Sequence, residues 1–251
     1  MDAAGWQVVG VDLAGADVVA DLATTEGRDR AVAEAGDRSG GALAGIVTCA
    51  GLAGSPSRAG SLLASVNYFG TVAVLEGLRP LLVPGGAAVA ISSNSTTVQP
   101  GIPADLVDAC LDHDEELSRR IADARGSMVT YPASKLAVAH WVRQTATGPE
   151  WAGAGLRLNA VAPGMIDTPM VAAMRSDPET GPLLDMLPIP VGRPGRPEEI
   201  AALVEFLLGP DGAFFCGSVL FCDGGSDALL RTRDWPAAWD ISVRDLGQQL
   251  S

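Results

Sequence analysis

The single lysine of this 251-residue chain, Lys135, follows Tyr131 by four positions, and Tyr131 is one of only two tyrosines. On a helix, residues four apart share a face. A free phenol has a pKa of about 10, too high for useful proton exchange at neutral pH. An ammonium about 4 Å away is worth a few kcal/mol at an effective dielectric of about 20. That draws the phenol toward the range in which general acid/base catalysis works best. The spacing alone is weak, and the bland reading is a surface tyrosine near a solvated lysine. Yet the other 16 of the 17 basic residues are arginines, whose charge is spread over a planar fork instead of concentrated at a point. The lone lysine after a tyrosine therefore reads as chemistry.

Such a pair needs a scaffold, and the chain supplies alternating elements. Strand-like apolar runs fall at 5–12, 17–20, 44–49, 86–92, 156–162 and 217–222, with helical stretches near 25–37, 62–82, 132–147 and 197–208. Tyr131 then opens the helix at 132–147. The helix at 197–208 begins with Pro197 in its first turn, followed by Glu198 and Glu199 at the positive end of the dipole. Strands alternating with helices imply βαβ units and an α/β fold with a mainly parallel, doubly wound sheet. No repeat or linker divides the chain, so residues 1–251 read as one domain with a tail at 231–251. That tail carries Trp235 and Trp239, is broken by Pro236, and reads as a cover for exposed surface or a reach to another subunit.

The first strand ends in Asp12. In a dinucleotide-binding domain a carboxylate there accepts the adenosine ribose hydroxyls and repels a 2′-phosphate. No arginine lies between Asp12 and Arg28, so NAD is favoured over NADP; the competing reading of Asp12 is a solvated turn residue.

Further motifs surround these residues. Ser93 closes the Ile91-Ser92-Ser93 strand end, and Asn67 lies in Ser65-Val66-Asn67-Tyr68-Phe69-Gly70. Thr48-Cys49-Ala50-Gly51 forms a turn, Pro163-Gly164-Met165-Ile166-Asp167-Thr168 follows a strand, and Asp223-Gly224-Gly225 closes the last one. Together with Tyr131 and Lys135 they resemble the short-chain dehydrogenase/reductase family over nearly the whole chain up to about Leu230, and in particular its bacterial hydroxysteroid dehydrogenases and carbonyl reductases. The turn at Thr48 departs from the family's Asn-Asn-Ala-Gly at both asparagines.

The resemblance implies a single-domain Rossmann-type fold and a catalytic set of Asn67, Ser93, Tyr131 and Lys135. Tyr131 would exchange a proton with the substrate oxygen and Ser93 would hydrogen-bond that oxygen. Lys135 would lower the Tyr131 pKa and hold the nicotinamide ribose, and Asn67 would hold a water linking Lys135 to solvent. NAD would be bound by Asp12, by Asp21 and Leu22 beside the adenine, and by Ala50 and Gly51 against the ribose. Tyr131, Lys135, Pro163, Gly164, Ile166 and Thr168 would complete the nicotinamide end.

The resemblance also implies a first strand and a glycine-rich phosphate turn ahead of Asp12, and no such pattern occurs in a strand-to-helix context. The expectation is a sheet lacking its first βα unit. A start inside a longer chain, a short form that folds with a gap or borrows a strand, and a decayed relative are the three explanations. The main functional expectation is an NAD(H)-dependent oxidoreductase acting on an apolar alicyclic or steroid-like alcohol or ketone. The alternative is a truncated, catalytically silent member serving as a scaffold or ligand-binding subunit.

Two regions bear on substrate and assembly. Four of six methionines (Met165, Met170, Met174 and Met186) lie beside Leu183, Leu184 and Leu187, which reads either as a lid over an apolar ligand or as core packing. Residues 105–125 read as an added charged helix with a stripe of Leu106, Cys110, Leu117 and Ile121. This helix is expected to alter an oligomer interface or to wall the substrate cleft.

The totals set outer limits. A net charge of −13 argues against nucleic acid or an anionic membrane face as partner, and the apolar runs in the sequence read as too short to cross a bilayer. Four cysteines without metal spacing read as reduced, mostly buried thiols of a cytoplasmic protein, and His113 and His140 as surface helix residues, so no metal site is expected. The partner expected is a small apolar alcohol or ketone, with assembly as a homodimer or homotetramer.

Overall fold

The computed structural model describes residues 5–235 together with 237, 238, 240, 242 and 245. Most of the 231–251 tail, including Pro236 and Trp239, lies outside the described residues. Four parallel strands form the main sheet in the order β3 (Leu43–Thr48), β4 (Leu82–Ile91), β5 (Arg157–Pro163) and β6 (Val219–Cys222). Two short strands, β1 (Val11–Asp12) and β2 (Val18–Val19), pair parallel with each other in a separate sheet.

The parity of β4 explains the layering. Ala87 and Val89 face α10 (Pro197–Leu208) and meet Val204, Leu207 and Leu208. Ala88 and Ala90 face the other way, toward Leu75, Val138 and Trp141 of the helices on the opposite face. A strand buried on both faces needs small or branched apolar residues throughout, and that is the composition found at 87–91. The apolar strands and helices thus form a doubly wound α/β core.

Between β1 and β3 the described residues place no strand. A cavity of about 450 Å³ lies there, lined by Val9, Val11, Leu43, Ile46, Thr48 and Val74 among others. β1 is shorter than the predicted run 5–12 because β2 is its only partner. Strand pairing is what extends an isolated apolar run, and among the described residues Trp6 to Val9 have no strand beside them.

Three helical expectations need correction. The stretch predicted as one helix at 62–82 is composite: α2 (Gly60–Ala64), a wide π turn at Ser65–Gly70, α3 (Thr71–Leu78) and a 3₁₀ turn at Arg79–Leu81. Taken whole, Gly60–Leu81 has the length and apolarity of a membrane span, contrary to the reading of the runs as too short, but two thirds of its most apolar window is packed inside this fold. The added segment is two helices, α5 (Ala104–Leu111) and α6 (Glu115–Arg125), separated by a turn in which His113 takes φ 58°. His113 is thus a turn residue. α5 packs on α7 (Ser127–Ala146) and α6 on α2, with Leu106 and Cys110 fully buried and Leu117 and Ile121 partly so.

α7 begins five residues earlier than the predicted 132, so Pro132 lies inside it. Proline has no N–H to give to the Met128 carbonyl one turn back. The Gln99 side-chain amide donates to that carbonyl instead, at 3.4 Å. The four cysteines are free thiols, and two of them, Cys49 and Cys216, are exposed, against the expectation of mostly buried ones.

Candidate active site

The site forms at the C-terminal ends of β3, β4 and β5, where the chain leaves the sheet. β4 ends at Ile91, and the next two residues are buried serines. Ser92 Oγ donates to the Lys135 carbonyl at 2.8 Å, which pins the middle of α7 to the strand end. Ser93 Oγ accepts from the Ser95 backbone N–H at 3.1 Å, and its hydroxyl lies near enough to Tyr131 to bear on the phenol's titration. Tyr131 is half-buried. Burial raises its phenol pKa above the ordinary value, and the Ser93 hydroxyl pulls the other way.

One turn along the same face, Lys135 is only 4 % exposed, and its Nζ donates to the Ile91 carbonyl at 2.8 Å. Burial pulls its pKa down to about 8, with the nearby Cys49 opposing. Among the described residues no carboxylate pairs with it in compensation. Lys135 is thus a buried ammonium four residues after Tyr131 on the same helix, anchored to the end of β4.

Asn67 is completely buried in the π turn, a kind of helix defect that concentrates at functional sites. Its amide reads the main chain of Leu52 in both directions: Nδ2 donates to the Leu52 carbonyl at 3.0 Å and Oδ1 accepts from the Leu52 N–H at 2.7 Å. Nδ2 also donates to Ser134 Oγ at 3.3 Å, and that hydroxyl donates to the Tyr131 carbonyl at 2.8 Å. The turn at Ala50-Gly51 is drawn tight against this group. A Cβ on Gly51 would stand 3.3 Å from Lys135 Nζ and 3.4 Å from Asn67 Oδ1, so only a glycine leaves open space above the lysine.

The remaining predicted positions lie around the same edge. Asp12 and Asp21 are exposed; Asp12 accepts from the Leu13 N–H at 2.6 Å and Asp21 from the Ala23 N–H at 2.9 Å. Leu22 is half-buried and Ala50 exposed. Pro163 accepts from the Asn94 N–H at 2.9 Å, and Gly164 presses so closely on the loop after β6 that a Cβ would stand 2.7 Å from Asp223 Cα. Ile166 is bridged to Gly195, and Thr168 caps α8 (Pro169–Ser176) by accepting from the Val171 N–H at 3.3 Å.

The supports missed in the sequence are Ser92, Ser134 and Leu52. Ser92 and Ser134 lie inside the quoted motifs, but nothing in their type shows which carbonyl they serve. Leu52 acts through its backbone, which no side chain reports.

The methionine segment separates cleanly from the core. α8 has no buried residue, α9 (Gly181–Asp185) buries only Gly181, and Met186 is 78 % exposed. Core packing is therefore excluded for Met170 and Met186, and Met170 shares a cleft with Leu52 and Ala53.

The chain is 36 % identical over 236 residues to a 3-alpha-hydroxysteroid dehydrogenase/carbonyl reductase of Comamonas testosteroni, covering 92 % of this chain and 91 % of that protein. The chain belongs to the short-chain dehydrogenase/reductase family. A family model described as enoyl-(acyl carrier protein) reductase matches residues 118–227. The fold of this short-chain dehydrogenase/reductase superimposes on a 3-alpha-hydroxysteroid dehydrogenase of Pseudomonas sp. B-0831, solved with NADH, with a TM-score of 0.88 and 40 % identity, over 93 % of this chain and 92 % of that one. A short-chain dehydrogenase/reductase of Mycobacterium ulcerans, 26 % identical, matches with a TM-score of 0.61 over 83 % of this chain and 69 % of its own. The α/β sheet and the oxidoreductase class expected from the sequence are thereby established.

Proposed function

We propose that this protein interconverts a secondary alcohol and a ketone on an apolar alicyclic or steroid-like substrate, using NAD(H). The observation that carries the reading is Tyr131 one helical turn from the buried Lys135, whose Nζ is anchored to the Ile91 carbonyl at the strand end that leads into Ser93.

The residues fit the cofactor at its two ribose ends. Lys135 has three donors and gives one to Ile91, leaving two for ribose hydroxyls beneath the opening kept by Gly51. Asp12 presents an exposed carboxylate at the end of β1. Arg28, the first arginine after it, is buried and donates to Glu115 and to main-chain carbonyls. No free guanidinium from that position meets a 2′-phosphate, which supports NAD over NADP. When bound, NAD accepts or gives the hydride.

The chain's own work is on the proton and the oxygen. In reduction, the Tyr131 hydroxyl gives its proton to the carbonyl oxygen as charge grows there, and Ser93 donates a hydrogen bond to the same atom. In oxidation the tyrosine receives that proton. Lys135 stabilises the phenolate left when Tyr131 gives up its proton, its charge gaining weight as solvent is displaced. Asn67 holds the Leu52 loop and Ser134, and so fixes the wall through which a proton leaves. The exposed Met170 and Met186, with Leu183 and Leu187, supply a deformable apolar cover suited to a rigid hydrocarbon ring.

The supporting evidence for steroid-like substrates is the likeness to the Comamonas and Pseudomonas proteins. A homodimeric or homotetrameric assembly and a single domain over 1–251 are part of the same proposal, the latter supported by the one large core that joins helices to both β2 and the main sheet. Calorimetric titration of the full chain with NADH and with NADPH tests the cofactor reading. Micromolar NADH binding with NADPH at least about tenfold weaker is expected, given one to two charge-assisted hydrogen bonds from Asp12. Absence of NADH binding by folded protein would favour the silent scaffold.

A further inference from the structure

Arg28, on α1 (Thr25–Arg38), is 7 % exposed and uses its whole fork. Nε donates to the Leu22 carbonyl at 2.8 Å. Nη2 donates to the Ser65 carbonyl at 3.0 Å, and the two Nη atoms grip the Glu115 carboxylate at 2.6 and 2.7 Å. Ser65 Oγ adds a hydrogen bond to the same carboxylate at 2.7 Å and accepts one from Arg119 at 2.7 Å. Glu115 is the first residue of α6, and Arg28 holds its carboxyl below the ordinary value.

Three segments distant in sequence meet at this fork. Leu22 belongs to the loop after β2, Ser65 begins the π turn that carries Asn67, and Glu115 opens the inserted helix. The contact between the first two is close: a Cβ on Gly70 would stand 3.0 Å from Leu22 Cβ and 3.2 Å from the Leu22 carbonyl oxygen. A backbone pressed this tightly on a turn of unusual width moves with it. Guanidinium geometry suits the junction, because one planar group satisfies two carbonyls and a carboxylate at fixed angles, which a lysine cannot do.

We propose that Arg28 and Glu115 form a positioning clamp that couples the Asp21–Leu22 side of the cofactor site to the turn holding Asn67. The inserted helix α6 is thereby wired to the site. The proposal rests on the NAD reading for its effect on cofactor binding, but the mechanical coupling stands apart from it. Neither Arg28 nor Glu115 touches the reacting atoms; both act through Leu22 and Ser65.

The test compares the full chain with Arg28→Lys, with Ser65→Ala as a milder variant should the first fail to fold, and with Glu115→Asp as the conservative change. Hydrogen exchange in the ligand-free protein is read at residues 21–24 and 65–70, and KM for NADH is read against kcat. Exchange at both segments should speed up together in Arg28→Lys while β4 and β5 keep their protection. KM for NADH should rise about tenfold to a hundredfold in Arg28→Lys, more than kcat falls, as expected for displaced positioning groups; Glu115→Asp, which keeps a carboxylate for the fork, should show a smaller change of the same kind. Faster exchange in one segment alone, or equally throughout the sheet, overturns the clamp. Should the parent protein bind no NADH, the function reading fails, and coupled exchange at the two segments still decides the clamp.

Discussion

Replacing Lys135 by methionine should make the protein more stable and inactive. The ammonium is 4 % exposed with a single carbonyl partner, and burial carries its pKa from 10.5 to about 8. At about 1.4 kcal/mol per pH unit, that displacement costs folding ~3 kcal/mol at neutral pH. Methionine removes the cost, keeps most of the volume, and leaves the Ile91 carbonyl without a donor, a loss of ~1 kcal/mol. A net gain of ~2 kcal/mol at pH 7 follows. The sign of its pH dependence is fixed by linkage. Below pH 8 the lysine is charged in both states and the whole cost is present. Between pH 8 and 10.5 the native protein has lost the proton that the unfolded chain still holds, so the wild type gains stability as pH rises. By pH 9.5 the cost has fallen to ~1 kcal/mol and the advantage of methionine nearly vanishes. Urea denaturation of both proteins at pH 7 and pH 9.5 measures this directly. A variant less stable at pH 7, or an advantage independent of pH, would refute the description of Lys135 as a buried, poorly compensated charge.

Two further outcomes are expected. Ser93→Ala removes the hydroxyl that opposes burial at Tyr131, so the alkaline limb of the pH–rate profile should move to higher pH and kcat should fall about a hundredfold. Gly164→Ala places a Cβ 2.7 Å from Asp223 Cα, and because the obstacle is backbone the strand end must shift; a loss of ~1–3 kcal/mol in urea denaturation is expected.

Much of the frame was legible because buried parallel strands are continuous apolar runs, and β3, β4, β5 and β6 fall within a few residues of their predicted places. The helix at 197–208 was read to the residue because its first turn carries its own signals in Pro197, Glu198 and Glu199. What local pattern cannot carry is partnership. The run at 5–12 has the composition of a strand, but pairing at Val11–Asp12 alone limits it to two residues. The helix at 62–82 keeps an unbroken apolar period, and the widening at Ser65–Gly70 arises where that stretch meets Leu52, Leu22 and Arg28. The Arg28–Glu115 bond joins residues 87 apart, and no spacing rule reports it. Tyr131, Lys135 and Ser93 were singled out from residue type and motif, and the fold brings Ser93 to Tyr131 and Lys135 to the adjoining turn. Residue type could not show that Lys135 Nζ donates to the Ile91 carbonyl, because that partner comes from a strand end 44 residues away.

The proposed chemistry turns on Tyr131, and the decisive measurement is NADH-dependent reduction of cyclic and steroidal ketones by the full chain and by Tyr131→Phe. Loss of turnover by about a hundredfold or more, with NADH affinity nearly unchanged, is the expected result. Undiminished turnover by Tyr131→Phe would contradict the assignment of Tyr131 as the proton donor.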